Sequence, residues 1–258
     1  MAENDKLPEA LVTLGNFKKA LKSLRDTKTL YCVVGGLAVG QWGEEFLKPE
    51  EKFRFDLPIR SKDLDIRAQK DAAVILVLNL RNEGASASQL VMRNPKNRDA
   101  SFPSCAVSVV LSDPQPLNTT IEALSGMPLL DEYDSNHNIR QNGSALLYRD
   151  LYLLDPCSLL ICKLNAIHTR PPGESDNDRK HATILSLVIP RFIQRTIQRL
   201  NEGRDRYHPF ADANRLAGFL TREPWSGLLP ADEKERVLQA CKLAEQDKEN
   251  RENPPPVL

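Results

Sequence analysis

A glycine pair that interrupts a short apolar run is the feature of this sequence that most constrains its fold. Residues 33–39 read Val-Val-Gly-Gly-Leu-Ala-Val, and an apolar run that breaks at two glycines predicts a buried strand passing directly into a helix. Residues 61–66 read Ser-Lys-Asp-Leu-Asp-Ile and predict a second strand. Side chains two residues apart on a strand point to the same face, so Asp63 and Asp65 are expected to aim at one point.

These two segments together predict a site for a cation and a phosphate group. Carboxylate oxygens are the ligands that hard cations prefer, so Asp63 and Asp65 suit Mg²⁺ or Mn²⁺. Gly35 and Gly36 stand at the start of the predicted helix, where backbone N–H groups and the helix dipole favour phosphate. Each feature alone is ordinary, because glycine pairs often end strands for steric reasons. In combination they indicate nucleotide chemistry.

The composition limits the kind of protein this chain can be. Its 258 residues can bury a real core and form one large or two small domains. Basic and acidic residues number 35 each, so overall charge implies no nucleic-acid partner, and any basic surface must be local. No apolar run approaches the roughly 20 residues that cross a bilayer, and the polar start of the chain lacks a signal-peptide pattern. We therefore expect no membrane partner and a cytoplasmic location.

The cysteines support the same location. They are few, odd in number and placed mostly in apolar runs, and their spacing matches no zinc signature. Reduced, buried structural thiols are the expected state. The five are Cys32, Cys105, Cys157, Cys162 and Cys241.

The first 118 residues alternate predicted strands and helices, which is typical of an α/β layer. The predicted helices cover residues 7–24, 37–46 and 70–83, and the predicted strands cover 30–34, 62–67, 89–93 and 105–111. Residues 44–59 are polar and contain two prolines, so they predict a loop, and residues 94–99 predict a turn.

Residues 119–245 form the second predicted region, which is mainly helical. It opens with a hairpin of residues 138–141 and 145–148 around Asn142-Gly143. Asp155 is a plausible N-cap with Pro156 at the first helical position. The predicted helices cover residues 156–166, 178–188, 190–200, 211–220 and 231–244. Residues 246–258 combine charges with three prolines and predict a disordered tail.

The motifs resemble those of the nucleotidyltransferase superfamily, and within it the AbiEii-like group, the toxins of type IV toxin–antitoxin systems. The resemblance covers roughly residues 28–190. It includes a strand that ends in a glycine pair, an Asp-x-Asp pair, an apolar helix with a lysine followed by an alanine, and a later aspartate. The matching residues are Gly35 and Gly36, Asp63 and Asp65 preceded by Ser61, Lys163 and Ala166, and Asp178 or Asp176.

The resemblance implies a fold and a reaction. The fold would be a mixed sheet flanked by helices, with residues 1–118 as the nucleotidyltransferase core and the helical region completing the site. The reaction would move a nucleoside monophosphate from a nucleoside triphosphate (NTP) to an acceptor, with Mg²⁺ or Mn²⁺ as cofactor. A tRNA or other RNA acceptor, an antitoxin partner and a toxin role are also implied.

The resemblance also implies a role for each matched residue. Asp63 and Asp65 would hold the cation, and Gly35, Gly36 and Ser61 would hold the β- and γ-phosphates. Lys163 would neutralise phosphate charge, and Asp178, favoured over Asp176, would orient Lys163 or the acceptor hydroxyl. The likeness of the motifs is the basis for this division of roles.

Two departures from the pattern affect these implications. The family has an acidic residue between apolar ones on a later strand, and the matching strand here places Ser108 at that position. Asp113 is nearby but has the opposite strand parity, so it would point elsewhere unless a bulge intervenes. The gap between Gly36 and Asp63 is also long, so residues 44–59 are interpreted as an inserted loop. A non-catalytic nucleotide-binding module and a small-molecule, antibiotic-type nucleotidyltransferase therefore remain alternatives.

Three arginines at four-residue spacing are a candidate surface for RNA. Arg191, Arg195 and Arg199 would form one basic stripe along a helix, although a solvated helix face is the commoner explanation of such a pattern. Trp42 and Trp225 could stack on a base, but packing is the favoured role. His168 and His181 lack metal-ligand spacing and predict local polar contacts.

Overall fold

A computed structural model describes residues 11–26, 31–68, 70–82, 84, 86–92, 105–111, 117–124, 145–148, 151–171, 173–204 and 209–253. The chain divides into two units. One comprises Met1–Gln41 and Pro58–Leu154, and the other comprises Trp42–Leu57 and Asp155–Leu258. This division differs from the predicted segments 1–118 and 119–245, because a strand at residues 117–124 crosses that boundary and pairs within the sheet.

Seven described strands of the first unit form one mixed sheet. Its order is β3-β4-β5-β2-β1-β7-β6. The pairs β1/β7 and β2/β5 are parallel, and the other neighbours are antiparallel. The strands are β1 (Tyr31–Val33), β2 (Asp63–Ala68), β3 (Ser86–Met92), β4 (Cys105–Leu111), β5 (Leu117–Leu124), β6 (Ala145–Tyr148) and β7 (Leu151–Leu154). The expected α/β class is confirmed.

The central strand β2 alternates between a buried and a partly exposed face. Leu64 and Ile66 are fully buried, whereas Asp63 and Asp65 are half-buried. This period of two is the geometry that a strand imposes on neighbouring side chains. The strand therefore contributes apolar residues to the core and presents its aspartates together on the opposite face.

The helices of the first unit begin with a short 3₁₀ turn at Leu14–Phe17, followed by α1 (Lys18–Asp26). The helix that we predicted over residues 7–24 was wrong at Val12, which forms a β-bridge with Ser61; residues 7–10 lie outside the described ranges. The other helices are α2 (Gly35–Phe46), whose last residues belong to the second unit, and α4 (Lys70–Asn82). Helix α3 (Pro49–Arg54) belongs to the second unit.

Helix α3 corrects the predicted loop over residues 44–59. Helix α2 continues to Phe46, and α3 then starts with Pro49 at its first position. The backbone N–H of Lys48 donates to the Glu51 carboxylate at 2.7 Å, so the Glu51 side chain satisfies an otherwise unpaired N–H at the start of α3. A proline that we interpreted as a loop signal is therefore a helix start signal.

The rest of the second unit is helical. Its helices are α5 (Pro156–Thr169), α6 (Asp176–Asn201), α7 (Phe210–Leu220) and α8 (Ala231–Glu252). The predicted cap of α5 is confirmed, because the Asp155 side chain accepts a hydrogen bond from the Ser158 backbone N–H at 2.9 Å. The start of α5 could therefore be predicted from Asp155 and Pro156 in the sequence.

Helix α6 is continuous, whereas we predicted two helices separated before Pro190. A proline inside a helix removes one backbone hydrogen bond and costs about 3 kcal/mol. Ile189, Phe192 and Ile193 are buried on either side of it, and burying an apolar side chain of this size contributes about 1.5–3 kcal/mol. Packing therefore offsets the local cost of the proline.

Helix α8 corrects the predicted tail, because residues 246–252 are helical; residues 254–258 lie outside the described ranges. Arg251 donates to Asp247 at 2.7 Å and to Asn201 at 2.5 Å. The Lys248 ammonium lies 4.1 Å from the centre of the Phe210 ring. These contacts stabilise the last turns of α8, which lie beyond its buried apolar residues.

The structure describes only part of what the remaining predictions cover. Strand β6 pairs with β7, which we did not predict, while residues 138–144 and 94–99 lie outside the described ranges. Cys32, Cys157 and Cys241 are buried free thiols, and Cys162 is a half-buried one. In the part of the chain that the structure describes, no helix has the length and apolar character needed to span a membrane.

Candidate functional site

Three carboxylates meet on one face of the sheet in the first unit. Asp63 and Asp65 lie on β2, and Glu122 lies on the neighbouring parallel strand β5. The register places Glu122 directly beside Asp65, and one carboxylate oxygen from each of the three residues lies within 4.8 Å of the others. All three are half-buried. The expected convergence of Asp63 and Asp65 is confirmed.

Glu122 is the site residue that the sequence analysis missed. We placed the position of a third carboxylate at Ser108, but Ser108 lies on β4 opposite Thr120. Glu122 stands between Ile121 and Ala123, which is the pattern of an acid between apolar residues that we assigned to the wrong strand. The statement that this carboxylate is replaced by Ser108 was therefore wrong. Asp113 lies outside the described ranges.

The signal for Glu122 was present but weak. Strand β5 contains Asn118, Thr119 and Thr120, and it lacks the continuous β-branched run that made β4 easy to recognise. Only its pairing with β2 makes it a central strand. A search for every acid flanked by apolar residues would have included Glu122.

The predicted glycine turn lies against this acidic cluster. The Val34 backbone N–H donates to the Asp65 carbonyl at 3.0 Å, which holds the end of β1 beside β2. Gly35 follows with φ of +67° and begins α2. A Cβ atom at Gly35 would lie 2.1 Å from Oδ2 of Asp65. The backbone can approach the Asp65 carboxylate this closely only because residue 35 has no side chain.

Ser61 contacts the acidic cluster directly. Its hydroxyl donates a hydrogen bond to Oδ1 of Asp63 at 2.6 Å. We predicted a phosphate contact for this hydroxyl, and in the structure its donor is used by a carboxylate. Ser61 thus belongs to the surroundings of Asp63.

The three acidic oxygens fit a divalent cation. Carboxylates at this separation repel one another when they are ionised, and a cation bound between them removes that repulsion. Three hard oxygen donors match the preference of Mg²⁺ and Mn²⁺ and do not match that of soft metals. The residues that could hold the ion are Asp63, Asp65 and Glu122.

Lys163 and Asp178 form a partly buried ion pair in the second unit. The Lys163 ammonium lies 2.7 Å from Oδ1 of Asp178, and Arg170 contacts Oδ2 of the same carboxylate at 2.5 Å. The Asp178 side chain is 3% exposed, whereas Asp176 is exposed in the first turn of α6. Of the two predicted aspartates, Asp178 is therefore the one that holds Lys163, and its catalytic role stays a prediction.

His181 lies near this ion pair and is neutral at physiological pH. Burial, followed by the positive charge of Lys163, lowers its pKa from 6.5 to about 3. Its Nδ1 atom is buried without a hydrogen-bond partner among the described residues. The expected local polar contact at this nitrogen is therefore not found.

The predicted arginine stripe is not a free basic surface. Arg191 forms a bidentate ion pair with Glu51, with hydrogen bonds of 2.6 and 2.7 Å. It also donates to the Phe46 carbonyl at 2.9 Å. Arg195 contacts Glu45 at 2.5 Å. Arg191 joins α6 to the end of α2 and to α3, whereas Arg195 joins α6 to α2 and stays half exposed to solvent. The commoner interpretation, a solvated helix face, therefore fits Arg195 and not Arg191, and the RNA role of the stripe stays a prediction.

The pair of Arg191 and Glu51 makes the stability of the protein sensitive to acid. Its hydrogen bonds lower the pKa of Glu51 from 4.5 to about 2, so the folded state holds this carboxylate ionised where the unfolded state protonates it. The stabilisation is complete above pH 4.5 and is lost as the pH falls towards 2. We expect Glu51→Gln to lower the free energy of unfolding by about 1 kcal/mol at pH 7, measured in urea. The effect is small because solvent screens a partly exposed ion pair.

The control for this measurement is Glu50→Gln, because Glu50 is the exposed neighbour of Glu51. The difference between wild type and Glu51→Gln should shrink as the pH is lowered from 5 to 3, while Glu50→Gln follows the wild type. A difference that is independent of pH would show that the pair does not stabilise the fold electrostatically.

The two tryptophans serve packing. Trp42 is 3% exposed and lies against Phe46 and Phe192, with ring centres 6.0 and 5.7 Å away. Trp225 packs against Phe219 with ring centres 4.2 Å apart and ring planes tilted by 39°. His168 contacts the Trp225 ring edge-on at 6.3 Å. The favoured role of both tryptophans is supported, and a base-stacking role is not.

Comparison with known proteins gives only weak likenesses. No model of a protein family matches the chain, and no curated protein matches its sequence significantly. Among solved structures, the chain is similar to a proposed nucleotidyltransferase from H. pylori, with 12% identity and a TM-score of 0.39, over 95% of this chain and 96% of that one. It is also similar to the antibiotic-resistance factor ANT(2'')-Ia, with 10% identity and a TM-score of 0.38, over 93% and 96%. Likenesses at this level do not assign the chain to a family.

Proposed function

We propose that this chain is a metal-dependent nucleotidyltransferase that transfers a nucleoside monophosphate from an NTP to an acceptor and releases pyrophosphate. The observation that carries the proposal is the cluster of Asp63, Asp65 and Glu122 beside the glycine turn at Gly35. Three convergent carboxylates suit a divalent cation, and an adjoining helix start suits phosphate. The combination matches the needs of a bound metal–triphosphate complex.

The residues of the first unit divide these tasks. Asp63, Asp65 and Glu122 would hold Mg²⁺ or Mn²⁺, which when bound supplies charge neutralisation at the phosphates and a template for in-line displacement. The backbone N–H groups at the start of α2, from Gly35 and Gly36 onward, would donate to phosphate oxygens. The absence of a side chain at Gly35 lets the Asp65 carboxylate lie directly against this helix start.

The resemblance adds Lys163 and Asp178 to the proposal. Lys163 would neutralise phosphate charge, and Asp178 would orient Lys163. The support for this role is the partly buried ion pair between them, which gives the ammonium a fixed direction. Lys163→Met is the variant that tests it.

The acceptor is proposed from the resemblance alone. The AbiEii-like motifs suggest a tRNA or other RNA end as acceptor, a toxin role and an antitoxin partner. The ion pairs of Arg191 and Arg195 reduce the positive charge available to RNA on that helix. A small-molecule acceptor is the alternative within the same chemistry. The non-catalytic module is less favoured, because it rested on a missing carboxylate that Glu122 supplies.

The experiment that tests the proposal follows labelled phosphate. The full chain is incubated with each of the four NTPs, labelled at the α-phosphate, together with Mg²⁺ or Mn²⁺ and cellular RNA, protein or an aminoglycoside. We expect label on one acceptor class with stoichiometric pyrophosphate release, and loss of both with EDTA. Tight NTP binding without transfer under all of these conditions would support the non-catalytic module instead.

A further inference from the structure

We infer that Ser61 is a positioning residue for the cation ligand Asp63, and that it is not a phosphate contact. The inference rests on the proposed function, because it concerns the same acidic cluster. The Ser61 hydroxyl donates to Oδ1 of Asp63 at 2.6 Å, a short distance that is typical of a hydroxyl bonded to a charged carboxylate. A hydroxyl has one proton to donate, so this donor is committed.

The backbone of Ser61 is held in place from the N-terminal side of the chain. Its N–H donates to the Val12 carbonyl at 2.9 Å, and its carbonyl accepts from the Val12 N–H at 2.7 Å. Val12 is itself buried. This isolated bridge fixes the direction from which the hydroxyl reaches Asp63.

The adjacent residue is held from the other side. The Thr119 hydroxyl donates to the Lys62 carbonyl at 2.8 Å, and Thr119 is buried. Residues 61 and 62 are thus fixed between Val12 and β5 immediately before Asp63. The backbone that carries the Ser61 hydroxyl is therefore fixed by hydrogen bonds on both sides. A fixed hydrogen-bond donor of this kind can orient a metal ligand.

This arrangement fixes the orientation of the Asp63 carboxylate. Oδ1 accepts from Ser61, which limits rotation of the group and so sets the direction in which its oxygens face a cation. Removing the hydroxyl would let the carboxylate rotate and lose its preferred direction. Groups that orient a metal ligand in this way typically change metal affinity by about 10–100-fold when they are removed.

The test measures binding of Mn²⁺ alone, without nucleotide, to the full chain by titration of the free-ion electron paramagnetic resonance signal. We expect Ser61→Ala to weaken Mn²⁺ binding at least about 10-fold, and Ser61→Thr to restore it because threonine keeps the hydroxyl. A phosphate contact would behave differently: Ser61→Ala would then leave Mn²⁺ affinity unchanged and weaken NTP binding measured in EDTA.

The matched control is Ser226→Ala, because the Ser226 hydroxyl also donates to a carboxylate, that of Glu223, but lies in the second unit. It should bind Mn²⁺ as the wild type does. Unchanged Mn²⁺ affinity in Ser61→Ala, with wild-type binding intact, would overturn the inference and leave the proposed function standing. Absence of Mn²⁺ binding in the wild type would overturn both. Circular dichroism and thermal melts of each variant show whether the fold is retained.

Discussion

Glu122→Gln should lower nucleotidyl transfer by about 1,000-fold, as severely as Asp65→Asn. The substitution keeps the shape of the side chain and removes the charge that would hold the cation beside Asp65. A bound metal supplies several kcal/mol of transition-state stabilisation, and each 1.36 kcal/mol is tenfold in rate. Single-turnover transfer of labelled NMP measures the loss.

The same variant should also lose its response to metal in thermal unfolding. A ligand at 100 times its dissociation constant stabilises the folded state by about 2.7 kcal/mol, so Mn²⁺ should raise the melting temperature of the wild type and not that of Glu122→Gln. Glu245→Gln is the matched control, because Glu245 is an exposed glutamate on α8.

Ser108→Ala provides the decisive comparison, because the sequence pattern placed the third carboxylate position there. We expect this variant to retain transfer activity and the response to Mn²⁺. Full activity in Glu122→Gln together with a large loss in Ser108→Ala would contradict the assignment of Glu122.

Gly35→Ala should abolish metal binding and destabilise the fold. The new Cβ would lie 2.1 Å from Oδ2 and 2.9 Å from Cγ of Asp65, so the carboxylate must leave its place in the cluster. The positive φ of residue 35 adds about 1–2 kcal/mol of strain for a residue with a side chain. Together with overpacking of about 1–3 kcal/mol, we expect the free energy of unfolding measured in urea to fall by roughly 2–5 kcal/mol.

Gly203→Ala separates the two causes. Gly203 has φ of +68°, almost the same as Gly35, but a Cβ at Gly203 would meet nothing within 4 Å. Gly203→Ala should therefore show the strain alone and keep Mn²⁺ binding.

The double variant Gly35→Ala with Asp65→Ala completes a double-mutant cycle with the two single variants. Removing the Asp65 carboxylate removes the clash, so the two substitutions should be less destabilising together than the sum of their separate effects. Additive losses would show that the Asp65 carboxylate does not limit residue 35. Mn²⁺ binding should stay absent in the double variant, since a ligand is missing.

The local part of the site could be predicted from the sequence because it depends on neighbouring residues. A strand repeats every two residues, so Asp63 and Asp65 must share a face whatever surrounds them. A glycine pair after an apolar run ends a strand for reasons that lie within the run itself. The cap of α5 by Asp155 and Pro156 is local in the same way.

The parts that local patterns could not supply depend on residues far apart in the chain. Arg191 and Arg195 repeat at helical spacing, but their carboxylate partners lie on α2 and α3. Pro190 has a strong local preference to end a helix, and buried packing on both sides of it overrides that preference. Local patterns could not supply either outcome.

Glu122 marks the boundary between what the sequence determined and what only the tertiary structure decided. The sequence by itself determined a strand that ends in a glycine turn and a second strand with two aspartates on one face, because short-range geometry sets both. The pairing of β5 beside β2 decided that Glu122 would join them. Strand pairing depends on how the whole sheet buries its apolar face, so no single segment carries that information.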